Sequence, residues 1–370
     1  MKILVTGAKG FIGKNLIAEM RNRNYMEIME YDVDCTEDVL GEYCRDADFI
    51  YHLAGVNRPK EACEFMTGNY YFTATLLGKL REFNNKCPIV LTSSTQADLS
   101  NPYGESKKAG EDLLFSFGQE CGNTVFVYRL PNVFGKWCRP DYNSVIATFC
   151  HNIANQLPIK INDPEVLLNM VYIDDVISEL IDAIDGMPHI NAEGYCYVPT
   201  CYSIRLGDAA KLIKGFACTR QNNMIPDMSD GFTKKLYSTY LSYLPPEKLS
   251  VFLKMNADIR GSFTEIIQTV DRGQISLNIV KPGITKGNHW HQSKTEKFIV
   301  VSGKACIQFR EVNSKEIFEY HVSGDKIAVV DIPPGYTHNL TNEGELDLIT
   351  IIWSNETFDP EYPDTYYLEV

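Results

Sequence analysis

The chain has 370 residues, 44% of them hydrophobic and 22% charged, with a formal charge of −13 and a pI near 5.1. That length exceeds one typical domain, and the balance can bury two cores. The acidic excess excludes a nonspecific nucleic-acid binder and a protein of anionic membrane surfaces, because both need surplus Lys and Arg. Any phosphate site must be local. Eleven cysteines occur without a Cys-x-x-Cys pair, and the chain starts directly in the strand-like Lys2-Ile3-Leu4-Val5. Reduced thiols and a cytoplasmic location are the expectation. No apolar run is long enough to cross a bilayer, and there is no solenoid repeat.

The first apolar run, residues 2–6, ends in Thr6-Gly7-Ala8-Lys9-Gly10-Phe11-Ile12-Gly13, after which apolar residues recur at helical spacing as far as Met20. Strand, tight loop and helix follow from this pattern. Gly7, Gly10 and Gly13 let the backbone turn, approach a pyrophosphate and seat the helix close to a sheet, with the helix N-terminus facing the anion. A second strand over Glu27 to Tyr31 leads to Asp32, nineteen residues past Gly13 and placed for an adenosine ribose. Asp32 favours a free 2′-hydroxyl, although it is equally readable as a solvated acid beside Asp34. The buried run Phe49-Ile50-Tyr51-His52 then enters Leu53-Ala54-Gly55, a small-residue turn that could pass beneath a nicotinamide ribose. His52 reads as a packed strand-end residue.

Pro88 to Ser94 predicts another core strand, and Tyr103-Gly104-Glu105-Ser106-Lys107 opens a helix with Tyr103 and Lys107 one turn apart on one face. A phenol of pKa ~10 is a poor acid at neutral pH, but an adjacent ammonium and a bound nicotinamide would lower that value. Such a Tyr can protonate an alkoxide as hydride arrives, with Ser94 bonding the same oxygen. Tyr-x-x-x-Lys alone is common in helices. Together with His52-Leu53-Ala54-Gly55, Ser93-Ser94, Arg129-Leu130-Pro131-Asn132-Val133-Phe134-Gly135 and Val171-Tyr172-Ile173-Asp174-Asp175-Val176, it resembles the extended short-chain dehydrogenase/reductases over roughly residues 1–245. The resemblance implies an α/β Rossmann domain with Ser94, Tyr103 and Lys107 catalytic. It places a nicotinamide cofactor on Gly7, Gly10, Phe11, Ile12, Gly13, Asp32, Leu53, Ala54, Gly55 and Lys107, with Arg129 and Asn132 near cofactor and substrate. One departure stands out: only eight residues separate Ser94 from Tyr103, where these enzymes have a longer loop.

Pro226 and Tyr243-Leu244-Pro245-Pro246 interrupt the helical pattern. Beyond them Gln274 to Ile279, Lys297 to Val301, Ala305 to Phe309 and Leu346 to Trp353 read as strands between Gly, Pro and Asn turns. An all-β barrel or jelly roll over residues 246–370 is expected. His289 and His291 share one side of a strand, Glu296 starts the next run, and His338 returns later. Three imidazoles and a carboxylate suit Zn2+ or another divalent metal. His151, His189 and His321 have no such partners in the sequence.

These residues resemble the two motifs of the cupin superfamily, matched from Gly283 through His289, His291 and Glu296 to Gly303, and by Pro333, Gly335, His338 and Asn342. Ile327 stands where the second motif normally opens with glycine. Asp258 to Glu265 is in turn similar to the opening segment of the nucleotide-sugar 3,5-epimerases, which would make Arg260 a pyrophosphate ligand. Their histidine base would fall on His289, which cannot be both a ligand and a free base, and the four-residue set favours the metal. Lys286, Tyr336 and Glu265 remain candidates at the substrate and for the general base.

The whole order of motifs resembles the CapF-type bifunctional enzymes of capsular polysaccharide and O-antigen synthesis. This implies C3 epimerisation of a UDP-linked 4-keto-6-deoxy amino sugar in the cupin, followed by C4 reduction with NADPH, in a cytoplasmic homo-oligomer, dimer or dimer of dimers. Asp32 leaves NADH open. Two alternatives are a reductase whose cupin only docks or dimerises, and a nucleotide-sugar-sensing scaffold, against which intact Ser94, Tyr103 and Lys107 speak.

Overall fold

The computed structural model describes residues 1–370. The chain divides into two compact units, residues 1–214 with 231–245, and residues 215–230 with 246–370. The boundary is thus not a single point: the helix Gly231–Leu241 returns to the first unit after residues 215–230 have joined the second.

In the first unit, strands β1 (Lys2–Thr6), β2 (Glu27–Tyr31), β3 (Phe49–His52), β4 (Ile89–Ser94) and β5 (Val125–Leu130) form a parallel sheet in the order β2-β1-β3-β4-β5. Alternate residues of each strand enter different cores. Ile3, Val5, Phe49, Tyr51 and Val90 join one cluster, whereas Leu4, Ile50, Ile89 and Leu91 join the other. Burial on both faces explains why these strands read as continuous apolar runs. The strand order reverses between β1 and β3, and crevices for ligands form at such switch points, outside the carboxyl ends of the strands. A smaller sheet of β6 (Asn132–Phe134), β7 (Leu167–Tyr172) and β8 (Tyr202–Arg205) belongs to the same unit.

The second unit is all-β apart from the end of one helix and a short 3-10 turn. Its strands are β9 (Met224–Ile225), β10 (Asn256–Asp258), β11 (Gly261–Thr269), β12 (Gln274–Val280), β13 (Thr285–Trp290), β14 (Glu296–Ser302), β15 (Lys304–Glu311), β16 (Ile317–Ser323), β17 (Val329–Ile332), β18 (Tyr336–Asn342), β19 (Leu348–Ser354) and β20 (Tyr366–Tyr367). One sheet runs β10-β11-β12-β19-β14-β17, with β9 also pairing β11, and the other β16-β15-β18-β13-β20. The expected strands are present within a cupin-like double sheet. Polar strands such as β13 and β18 exist because the ladder between them holds them.

The inward faces of this barrel change character along their length. At one end Val280, Val300, Ile307 and Leu348 pack as a core. At the other, the registers Gln274↔Ser354, Asn278↔Thr350 and Glu296↔Ser354 put buried polar side chains inside. One end of the barrel interior is therefore core and the other a lined cavity. No helix of either unit is long and apolar enough to cross a membrane.

Candidate active sites

The glycine loop is as tight as its spacing requires. Gly7 has φ +69, and a Cβ there would lie 2.8 Å from Ala54 N, while one at Gly13 would lie 2.3 Å from Gly7 O. Only glycine permits this approach of β1, the following helix Phe11–Asn22 and the Leu53-Ala54 turn. Phe11 and Ile12 pack beside the core. Asp32 accepts 2.7 Å and 2.8 Å bonds from the backbone N–H groups of Lys9 and Val33, so it also ties the loop to the end of β2. The Lys9 ammonium pairs with Asp34. His52 is buried between Thr6 and Thr73, bonded at 2.8 Å and 2.9 Å, and burial lowers its pKa to about 3. It is packed, as its sequence context indicates.

Ser94 ends β4 and caps a 3-10 turn by accepting from Gln96 N. Asn101 caps the helix Pro102–Cys121 through a 2.9 Å bond from Gly104 N. The connection between them folds back onto that helix so closely that a Cβ on Gly104 would lie 2.2 Å from Gln96 O. This is how so short a loop still brings Tyr103 close enough to Ser94 for the hydroxyl to act on its phenol. Burial raises the Tyr103 pKa, and the Ser94 hydroxyl opposes that rise. The Phe65 ring packs 5.5 Å from Tyr103. Lys107 is partly buried, donates to Thr92 O at 3.2 Å, and desolvation lowers its pKa to about 8. A Cβ on Gly55 would lie 3.0 Å from Lys107 Nζ. Ser94, Tyr103, Lys107, Gly55 and the glycine loop thus gather around the switch point.

Arg129 and Asn132 are engaged elsewhere. Arg129 forks onto buried Glu111 at 2.7 to 3.2 Å, reaches Asp98 at 2.7 Å and stacks 3.7 Å from the Tyr195 ring. Glu111 also accepts from Ser93 at 2.5 Å, so Arg129 and Glu111 together clamp the helix Pro102–Cys121 to β4 and β5. Asn132 donates to Asn169 O at 3.2 Å.

In the second unit, a bulge between Gly287 and His289, with Asn288 at φ +59, aims His289 inward. His289, His291, Glu296 and His338 offer ligand atoms within 4.8 Å of one another. Glu296 Oε2 lies 3.5 Å from His291 Nε2 and 3.2 Å from His338 Nε2. All three of these atoms are buried without a hydrogen-bond partner. Orphaned polar atoms so placed are what a divalent cation would satisfy. The residues fit a metal.

Surrounding groups orient this set. Glu296 Oε1 accepts from Ser354 Oγ at 3.2 Å. His291 Nδ1 lies 2.5 Å from Asp364 O, fixing which nitrogen faces the centre. The Asp364 carboxylate accepts from the N–H groups of Gln292, Ser293 and Lys294; burial opposes its ionisation, yet these donors hold its pKa well below the usual carboxylate range. Sequence reasoning missed this role: nothing in Pro363-Asp364-Thr365 says which loop it will cap. A cavity of about 360 Å³ opens beside the centre, lined among others by Glu265, Lys286, Lys294, Glu356 and Phe358. Lys286 Nζ donates to Asn278 Oδ1 and Ile279 O at 3.0 and 2.9 Å, and burial lowers its pKa. Tyr336 packs on Phe309 and Arg260 pairs with Asp258; neither is among the residues lining the cavity.

Residues 3–189 match the model of the NAD dependent epimerase/dehydratase family. The chain belongs to that family. Membership makes it an enzyme that uses a nicotinamide cofactor, consistent with the clustered Gly7, Gly55, Tyr103 and Lys107. Residues 256–366 match the polysaccharide biosynthesis C-terminal domain. A UDP-2-acetamido-2,6-beta-L-arabino-hexul-4-ose reductase of Pseudomonas aeruginosa is 43% identical over all of this chain and 99% of its own. The crystal structure of the capsular polysaccharide assembling protein CapF from Staphylococcus aureus superposes with TM-score 0.95 at 53% identity, covering 100% of both chains. The chain has the CapF architecture. Over its C-terminal part it is also similar to the spore coat polysaccharide biosynthesis protein SpsL of Bacillus subtilis, 26% identical across 30% of this chain and 81% of the relative.

Proposed function

We propose that the chain is a bifunctional nucleotide-sugar enzyme. Residues 246–370 would epimerise C3 of a UDP-2-acetamido-2,6-dideoxy-4-keto-L-hexose, and residues 1–245 would then reduce its C4 ketone with NADPH, toward UDP-N-acetyl-L-fucosamine. The observation that carries the epimerase half is the convergence of His291 Nε2, His338 Nε2 and Glu296 Oε2, all unpartnered, beside a cavity that also presents Glu265 and Lys286. His289, His291, Glu296 and His338 would hold Zn2+ or another divalent metal. When bound, the metal supplies Lewis acidity toward the C4 carbonyl, and the nicotinamide supplies hydride.

The chain's own groups complete the chemistry. The C4 ketone acidifies the C3 proton, which a cavity base removes and which returns to the opposite face. Lys286 is the favoured base among the candidates, because burial lowers its pKa and so raises its neutral fraction. After transfer of the ketone to the first unit, Tyr103 gives its proton to the C4 oxygen, Ser94 bonds that oxygen and Lys107 holds the ribose beneath it. Reduction removes the acidifying carbonyl and traps the new C3 configuration. Asp32 at the ribose end supports NADH as the second reading, although its carboxylate already serves the Lys9 and Val33 amides. We assign the enzyme to the cytoplasm as a homo-oligomer, a dimer or dimer of dimers.

Deuterium incorporation at C3 in heavy water, without nicotinamide, tests the division of labour. Incorporation is expected in the native chain and in Tyr103→Phe, which should lose cofactor oxidation by about 10²–10⁴-fold. No incorporation, on a substrate that the same sample reduces once cofactor is added, would leave a plain reductase with a docking cupin.

A further inference from the structure

A second group of ligand-type side chains lies outside both sites. We propose that Cys306, His321 and Glu343 form a separate site for a borderline-soft divalent cation such as Zn2+, on the outer face of the sheet β16-β15-β18-β13-β20. The fold brings the three together although they are far apart in sequence. Cys306 on β15 is directly opposite His321 on β16 and Thr341 on β18. Glu343 follows β18 and is held beside β15 by its N–H bond of 3.0 Å to Lys304 O. Ala305 and Ile307 belong to the barrel core, so Cys306 between them points the other way. The same alternation on β18 sends His338 to the interior. The two candidate metal sites therefore occupy opposite faces of one sheet.

The donor atoms of Cys306, His321 and Glu343 lie within 4.8 Å of one another, and His321 Nδ1 is 3.0 Å from Glu343 Oε2. Thiolate, imidazole and carboxylate on three anchored positions suit Zn2+, with water in a fourth position. His321 and Glu343 are exposed while the Cys306 side chain is buried, which leaves an entry path for the ion and a sheltered sulfur. Glu319, two residues from His321 and hydrogen-bonded by Gln308 at 2.6 Å, adds negative potential nearby. Binding would release the thiol proton to solvent. The ion would pin the exposed strand β16 to the strands behind it.

The chemistry allows this site to be read independently of the other, because the His289 centre contains no sulfur. Full-length protein, reduced and stripped of metal by chelation, is titrated with Co2+ and followed for thiolate-to-cobalt charge transfer in the near ultraviolet. The band is expected in the native chain and in the double variant His289→Ala, His338→Ala. It should vanish in Cys306→Ser, with one equivalent less Co2+ bound. Loss of an outer-shell partner already weakens a site about 10-fold, so His321→Ala and Glu343→Gln, both at exposed positions, should shift the midpoint by at least that factor. Absence of the band at saturating Co2+ would overturn the proposal. So would its survival in Cys306→Ser, which would place the thiolate on another of the eleven cysteines, or an unchanged midpoint in both exposed-ligand variants.

Discussion

Replacing Asp364 by Asn removes the charge from a carboxylate that accepts bonds of 2.9 Å from the N–H groups of Gln292, Ser293 and Lys294 and of 3.1 Å from Ser293 Oγ. Residue 364 sits at φ +40, a region that Asn tolerates and Ala does not, so Asn isolates the charge from backbone strain. The amide keeps one acceptor oxygen and turns a donor toward the remaining N–H groups. One bond is lost and the others weaken to neutral strength, and with solvent screening the loop loses roughly 2 kcal/mol of ordering. That equals about 30-fold in the population holding the His291 imidazole in place, at 1.36 kcal/mol per decade. It falls within the ~10 to 100-fold expected for a partner behind a metal ligand. The assay is Zn2+ affinity by competition with a chromogenic chelator, with cofactor affinity measured on the same sample. Weakening of zinc alone is expected. Unchanged zinc affinity in a folded Asp364→Asn protein would refute the role given to Asp364, and equal loss of zinc and cofactor would show a global effect instead.

Further predictions concern the first unit. Burial lowers the Lys107 pKa to about 8, so between about pH 8 and the ordinary lysine value near 10.4 the unfolded chain binds a proton that the folded chain has lost. Through that window this group's contribution to stability should rise with pH, while kcat/KM for reduction, which needs the ammonium, falls with a midpoint near pH 8. Melting curves and a rate profile check both signs, and a flat rate across the window would remove Lys107 from the mechanism. Arg129→Met strands Glu111, whose side chain is 0% exposed, and should cost about 3–5 kcal/mol in urea denaturation; a loss below about 1 kcal/mol would mean that the clamp is dispensable. Gly13→Ala would place a Cβ 2.3 Å from Gly7 O, and nicotinamide affinity by fluorescence titration should fall by about 10-fold or more; native affinity would show that the loop can relax.

Much of both halves was legible in the chain because their signals are local. Period-two burial on both faces makes β1, β3 and β4 apolar runs, and the glycines at 7, 10 and 13 mark a turn that only residues without a Cβ can make. Tyr103 and Lys107 are one helical turn apart, and His289 and His291 are two residues apart, so each pair could be placed on one face before the fold was known, whereas Glu296 and His338 join the histidines from strands β14 and β18. What depended on tertiary structure is what joins distant segments. Arg129 had the sequence context of a substrate contact, yet it clamps Glu111 because the helix Pro102–Cys121 packs against β4 and β5. Tyr336 is two positions from His338, a candidate metal ligand, but packs on Phe309. Asp364 and Glu343 acquire their partners only when the chain's last strands return to β13 and β15. Local steric and periodic constraints act over a few residues and are written in order along the chain, whereas pairing across 73 positions, as between His291 and Asp364, is set by the chain's last strand, β20, adding to the sheet edge beside β13.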